Sequence, residues 1–371
     1  MRILHLADVH LDRPFVGLDQ VAARARRAGL FDAFRRCLDL ARERQVDLVT
    51  IGGDLWEEEH VRPDTLRSVA FELGRLDVPV LVVCGNHDPL VPGGSHRRAP
   101  WPENATLVGS AALERHDVGD ATTLWARSWG AGDLPAGWLG EARAPADGRT
   151  HLLLVHGTAA TVPLFAEGAH GPFDPHALRR AGFSLVLAGH IHLMQHVDGV
   201  VYPGSPEPLA WDEAGAHGAA VVEVADGVVS VELVEVARTR VELRALDCRG
   251  AGSSSELQAR IELALPDAET ATRTYLRLRL AGAVDPVCTV DAGRIRAELA
   301  PRFAGVVVED ATTVAIDLDA RAQRRTLDGA FVRAVRERLD RAGTEEERRR
   351  LELALEAGLA AIDGREVVHV D

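Results

Sequence analysis

The sequence predicts an α/β protein: a two-sheet α/β sandwich, then a small α+β module, then a helical tail. Three observations predict it. Short apolar, β-branched runs recur through the first two-thirds of the 371 residues. Helical patterns lie between the early runs, which is the alternation of a layered sheet. After about Arg238 the pattern changes, and from Leu327 the chain reads as charged helix.

The buried strands come in order. They are "RILHLAD" (Arg2–Asp8), "DLVTIGGD" (Asp47–Asp54), "VPVLVVCGNHD" (Val78–Asp88), "HLLLVHG" (His151–Gly157) and "SLVLAGHIH" (Ser184–His192). Runs apolar on both faces suit the interior of a parallel sheet. Val21–Gln45 and Asp64–Leu76 carry apolar residues at helical spacing, and Asp64, just after Pro63, reads as an N-cap. "GVVYPGS", "AAVVEVADG" and "VVSVELVEV" follow closely, with an Asp-Gly turn between the last two, as in an antiparallel hairpin. Val241–Leu318 alternates strand, helix, strand, helix, strand, strand, the last two being "GVVVED" and "TTVAIDL". Leu327–Ile362 reads as two helices with a fresh start at Thr344. The domains expected are 1–238, 239–322 and 323–371.

Composition narrows the function. The sequence is 46% hydrophobic, and its apolar runs are strand-length, so no membrane span is expected. The N-terminus lacks a basic segment followed by an apolar one, so no signal peptide is expected. Four scattered cysteines without CxxC spacing suit reduced thiols in the cytoplasm. A net charge of −14 argues against gripping a polyanion by bulk electrostatics. The run "EERRR" reads as a solvated helix face.

The chemistry is expected where strands end. In open α/β sheets, ligands bind outside the carboxyl ends of the strands. The five buried strands deliver Asp8 and His10, Asp54, Asn86-His87-Asp88, His156, and His190 with His192. Their convergence gives a mixed nitrogen and oxygen ligand set, which suits Mn, Fe or Zn better than Mg or Ca. Alternation along a strand would put Asp8 with His10, and His190 with His192, on one side as pairs. His5, His96, His116, His151, His170, His176 and His196 have no paired spacing and read as surface or core residues.

The ordered series DxH, GD, GNHD, HG and GHxH resembles the calcineurin-like metallophosphoesterase superfamily. Within it, "LHLADVHLD", "GGDLWE", "CGNHDP" and "VYPGSPEPLAWDEAGAHGAAVVEV" look like the SbcD/YhaO type of DNA-repair nuclease subunit. That resemblance implies an α/β/β/α metallophosphoesterase sandwich, a capping domain at 239–322 and a C-terminal helical segment that binds an ATPase partner. It implies two divalent metals, Mn2+ first and Fe or Zn as alternatives. Asp8, His10 and His192 would hold one, Asn86, His156 and His190 the other, and Asp54 would bridge them. His87 would stabilise developing charge and protonate the leaving group, with Asp88 orienting it. DNA is the implied substrate, an SbcC-like ABC-type ATPase the implied partner, and a homodimer an implied assembly. One departure stands out: where many such nucleases read "GDLFH", this chain reads "GDLWEEEH", with Glu57 in place of histidine. Two competing readings are a stand-alone metallophosphoesterase for a small phosphodiester or phosphomonoester, and a scaffolding subunit with a decayed site. The complete ligand set argues against the second.

Overall fold

A computed structural model describes residues 1–132, 134–135, 137–161 and 170–364. Residues 365–371 of the expected tail lie outside the described residues. Twelve strands build two sheets: β1 Arg2–Leu6, β2 Leu48–Gly52, β3 Val80–Val83, β4 Ala105–Leu107, β5 Glu114–Asp117, β6 Thr122–Ala126, β7 Thr150–His156, β8 Leu185–Gly189, β9 Gln195–Val197, β10 Val200–Tyr202, β11 Gly218–Ala225 and β12 Val228–Glu235. The first sheet has the order β12-β11-β1-β2-β3-β4 and the second β5-β6-β7-β8-β10-β9. Strands β1 to β4 run parallel, and so do β6, β7 and β8. The β11–β12 hairpin adds antiparallel to β1.

Side-chain alternation explains the layering. Ile3, Leu48, Leu81 and Val83 of the first sheet pack against Leu152, Leu154, Leu185 and Leu187 of the second. Their neighbours one residue away face outward: Leu4, Leu6, Val49 and Ile51 on one side, Leu153, Val155, Val186 and Ala188 on the other. Both faces of each central strand are therefore buried, which is why those strands read as continuous apolar runs. Helices α1 (Gln20–Glu43) and α2 (Pro63–Gly74) cover the first sheet, through Leu30, Phe34, Leu38, Leu66, Val69 and Leu73. Phe173, Leu178 and Phe183 cover the second. The result is the expected α/β/β/α sandwich, with helices outside and two sheets face to face.

Local signals set the helix starts. The Asp19 carboxylate accepts from Ala22 N at 2.8 Å and caps α1. The start of α2 differs from the expectation. Its cap residue is Arg62, and Asp64 lies inside the first turn. Pro63 is already set for the first helical position, and Asp12 accepts from Arg62 N and Thr65 Oγ1 from across the chain.

Three more strands, β13 Arg240–Asp247, β14 Thr274–Val284 and β15 Gly305–Val314, form a sheet in the order β13-β14-β15. Strand β15 is continuous where two strands were expected. The polar residues at Glu309–Asp310 do not break it, because this stretch is exposed or half-buried. Helices Leu327–Leu339 and Glu345–Ile362 pack through Val332, Val335, Leu355 and Leu359. Thr344 caps the second by accepting from Glu347 N, while Glu347 accepts from Gly343 N. The chain divides into two compact units. One holds Met1–Arg244, Pro266–Arg277 and Ala297–Val307, and the other holds Ala245–Leu265, Leu278–Arg296 and the chain from Val308. None of the described helices is long and apolar enough to cross a membrane.

Candidate metal centre

The parallel strands β1, β2 and β3 of one sheet and β7 and β8 of the other deliver their following loops to one place. His190 N donates to both Asp8 oxygens, at 2.9 and 3.0 Å, across the two sheets. The backbone there is strained. Asp8, His10, Asp54 and His190 have φ of 55°, 50°, 50° and 103°, in the left-handed region that non-glycine residues avoid. Two glycines make the close approach feasible. A Cβ at Gly85 would fall 2.1 Å from Asp54 Oδ1, and one at Gly53 would fall 2.6 Å from His156 Nδ1.

Three groups of side chains offer ligand atoms within 4.8 Å of one another: Asp8, His10 and His192; His10, Asp54 and His87; Asp54, His156 and His190. Asp54 links the second and third groups. Asn86 joins the third, its Oδ1 lying 3.0 Å from His156 Nε2 and 3.2 Å from His190 Nδ1. The structure thus gathers Asp8, His10, Asp54, Asn86, His156, His190 and His192, with His87 beside them.

Strand alternation does not explain this gathering. His190 and His192 enter separate groups, because β8 ends at Gly189 and the turn at His190 swings the two apart. Asp8 and His10 do share a group, but through paired left-handed residues beyond β1.

The donor set fits divalent cations. Three imidazoles give Nδ1 to an oxygen: His10 to Glu57 Oε1 at 2.9 Å, His192 to Glu213 Oε1 at 2.7 Å, and His156 to the Gly52 carbonyl at 2.8 Å. Such partners fix the tautomer and leave Nε2 for a metal. His10 Nε2 is buried with no hydrogen-bond partner and lies 3.6 Å from Asp54 Oδ2. A lone pair held this way is costly unless it serves as a ligand.

Electrostatics follow the same arrangement. Burial opposes charge on Asp54, yet His156, His10 and His87 hold its carboxyl well below the usual range. Burial also works against protonation of His156 and His192, but the carboxylates win and raise both to about 9: Asp54 and Asp8 for His156, and chiefly Glu213 for His192. His190 goes the other way, to about 3, because burial and the neighbouring His156 both disfavour its charge.

Asp88 does not orient His87, contrary to the expectation. It is fully buried and accepts from the backbone N–H groups of Gly85 at 2.6 Å, Leu55 at 2.7 Å and Asp54 at 3.1 Å. His96 Nε2 lies 3.0 Å from its other side. Asp88 therefore ties the loop after β2 to the loop after β3. The carboxylate that holds His87 is Glu57, whose Oε2 lies 2.9 Å from His87 Nδ1. Glu213 and His170 were also missed. Glu213 is fixed by Leu209 N at 2.6 Å, and the His170 ring lies 5.4 Å from that of His190. Nothing in the sequence marked Glu213, which lies 21 residues from His192, the histidine it holds.

The chain has known relatives. It is similar to the uncharacterized metallophosphoesterase YhaO of Bacillus subtilis, at 28% identity over 78% of this chain and 70% of that one. It is similar to the DNA double-strand break repair protein Mre11 of Methanopyrus kandleri, at 28% identity over 70% of this chain and 62% of the relative. Among solved structures it resembles TT1561 of Thermus thermophilus at 14% identity and a TM-score of 0.40, covering 62% of this chain and 98% of that one. The family model for calcineurin-like phosphoesterases matches residues 1–194, over half of the chain. That match contains every candidate ligand residue, and the supporting Glu213 lies beyond it. With its candidate ligand groups assembled inside that match, the chain belongs to the calcineurin-like phosphoesterase family and is a phosphoric ester hydrolase of a family that uses divalent metals.

Proposed function

We propose that this protein is a Mn2+-dependent DNA nuclease subunit that works in DNA repair with an SbcC-like ABC-type ATPase. The observation that carries the reading is the sharing of Asp54 between the His10 group and the His156 group, with a half-exposed His87 alongside. The likeness to Mre11 of Methanopyrus kandleri, a DNA double-strand break repair protein by name, supports DNA as the substrate. In this reading Asp8, His10 and His192 would hold one cation, Asn86, His156 and His190 would hold the other, and Asp54 would serve both. A nitrogen and oxygen donor set without cysteine favours Mn2+, with Fe or Zn as alternatives. When bound, two such cations neutralise a phosphodiester and generate a nucleophile from water at neutral pH.

The chain's own residues do the rest. Glu57 accepts from Nδ1–H of His87, which leaves Nε2 to face the substrate. The Glu57 hydrogen bond raises the His87 pKa, against the opposing effect of burial, and so favours the protonated imidazole. His87 gives that proton to the leaving oxygen. Residues 239–322 form the capping domain, residues 323–371 bind the ATPase, and the subunit forms a homodimer. The net charge of −14 suits a subunit that takes its DNA grip from that partner.

The test is cleavage of end-labelled single- and double-stranded DNA with and without Mn2+, alone and with the ATPase. Mn2+-dependent cleavage that falls at least ~100-fold in His87→Ala is the expected result. Turnover of a small chromogenic diester, with DNA untouched under every condition, would replace this reading by the stand-alone phosphoesterase.

A further inference from the structure

A cleft of about 550 Å³ opens directly beside His87 and Glu57. Its walls are unlike the metal centre. They carry the rings of Phe15, Trp211 and Tyr275 and the cations Arg13 and Arg26. Among the described residues Glu57 is the one carboxylate in the lining, and its oxygens already serve His10, His87 and Arg13.

The aromatic wall is built in advance. Trp211 and Tyr275 meet edge to face, with centroids 5.5 Å apart and planes at 83°. The Arg26 guanidinium lies 4.5 Å from the Tyr275 centroid and 4.8 Å from that of Phe15, and so joins the two rings. It is itself held by the Pro208 carbonyl. A Cβ at Gly305 would fall 2.8 Å from Tyr275 Cδ1 and 3.0 Å from Trp211 Cη2, so glycine there leaves the pair its seat. Phe15 has a φ of 51°, a conformation a bulky residue adopts only when its surroundings hold it.

The Trp211 ring and the planar Arg26 guanidinium, laid over Tyr275 and Phe15, suit a planar ring attached to an anion. The cleft adjoins the group that protonates the leaving oxygen, so its occupant is what that oxygen carries. We propose that this cleft is a nucleobase subsite, which holds the base of the nucleotide on the leaving side of the cut. The proposal rests on the DNA-cleaving reading above and names the part of the substrate that this surface recognises. Stacking tolerates any base, since every base has a π face, so the subsite reads the presence of a base and not its identity.

The experiment compares two single-stranded oligonucleotides, one with a normal nucleotide on the leaving side and one with an abasic residue there. For the Mn2+-loaded wild type, kcat/KM is expected to be roughly tenfold higher on the normal strand, the size of one base–aromatic stack. In Trp211→Leu/Tyr275→Leu the preference should vanish while cleavage of the abasic strand stays within about twofold. Equal losses on both strands, or a preference that survives, would overturn the subsite. A second readout, calorimetric binding of 3′-dAMP and 5′-dAMP against deoxyribose 3-phosphate and 5-phosphate, covers either leaving oxygen and separates the two levels. If neither strand is cleaved, alone or with the ATPase, but wild type alone prefers the nucleotide to its sugar phosphate, the subsite stands and the DNA reading falls. If that preference is also missing, both fall.

Discussion

Glu57 Oε2 lies 2.9 Å from Nδ1 of His87, while the other oxygen of the same carboxylate lies 2.9 Å from Nδ1 of His10. One side chain therefore orients both a candidate metal-ligand histidine and the histidine proposed to donate a proton. The resemblance to SbcD-type nucleases leads to an expectation of histidine at this position, and here the geometry gives Glu57 a supporting role. Glu57→Ala is expected to lower activity and metal affinity each by roughly 10- to 100-fold. Kinetics and metal titration on the same preparation check this. Glu57→Gln should recover part of the loss, because one amide oxygen can still accept from one imidazole.

His87 stands apart from the ligands in exposure, with 39% of its side chain accessible. His87→Ala is expected to retain its metal while losing at least ~100-fold in kcat. Metal content by atomic emission, read beside turnover, decides the role. Loss of metal in this variant would make His87 a ligand.

Asp88 holds two loops together through three backbone N–H groups. Removing it leaves those buried donors unpaired, at about 1–3 kcal/mol for each. Asp88→Ala is therefore expected to lose roughly 3 kcal/mol or more in denaturant unfolding, and metal along with it, because Asp54 N is one of the donors. A variant with wild-type stability would leave Asp88 with a role in the reaction itself.

Metal binding is expected to depend on pH. In the metal-free protein His156 and His192 are raised to about 9, against an ordinary value of 6.5. A metal needs both neutral, so loading at pH 7 releases protons and tightens as pH rises toward 9. The imidazoliums also contribute stability to the metal-free fold. That contribution is complete below pH 6.5 and is lost as pH rises through about 9. Calorimetry in buffers of different ionisation enthalpy counts the protons. Loading without proton release, or with affinity falling from pH 7 to 9, would contradict the protonation scheme.

Much of the site was legible because its residues follow buried strands immediately. Asp8, Asp54, Asn86, His156 and His190 are polar groups at the ends of β-branched runs, and packing gives them no reason to be there. The two-sheet core was legible for the same reason, since strands buried on both faces leave continuous apolar runs. The supporting residues were less so. Glu57 reaches His87 across 30 residues of sequence and Glu213 reaches His192 across 21, from loops with no periodicity to mark them. Asp88 misled because it neighbours His87 in sequence but points to the backbone of the adjacent strand end. The division of His190 and His192 between groups was hidden by a backbone turn that no alternation rule describes.

The central claim is that Asp54 binds both cations of one centre. Metal content of wild type and Asp54→Ala after Mn2+ loading and gel filtration tests it most directly. The expected result is two ions per chain in wild type and close to none in the variant. Two ions retained by Asp54→Ala would contradict the bridging role and the hydrolytic reading built on it.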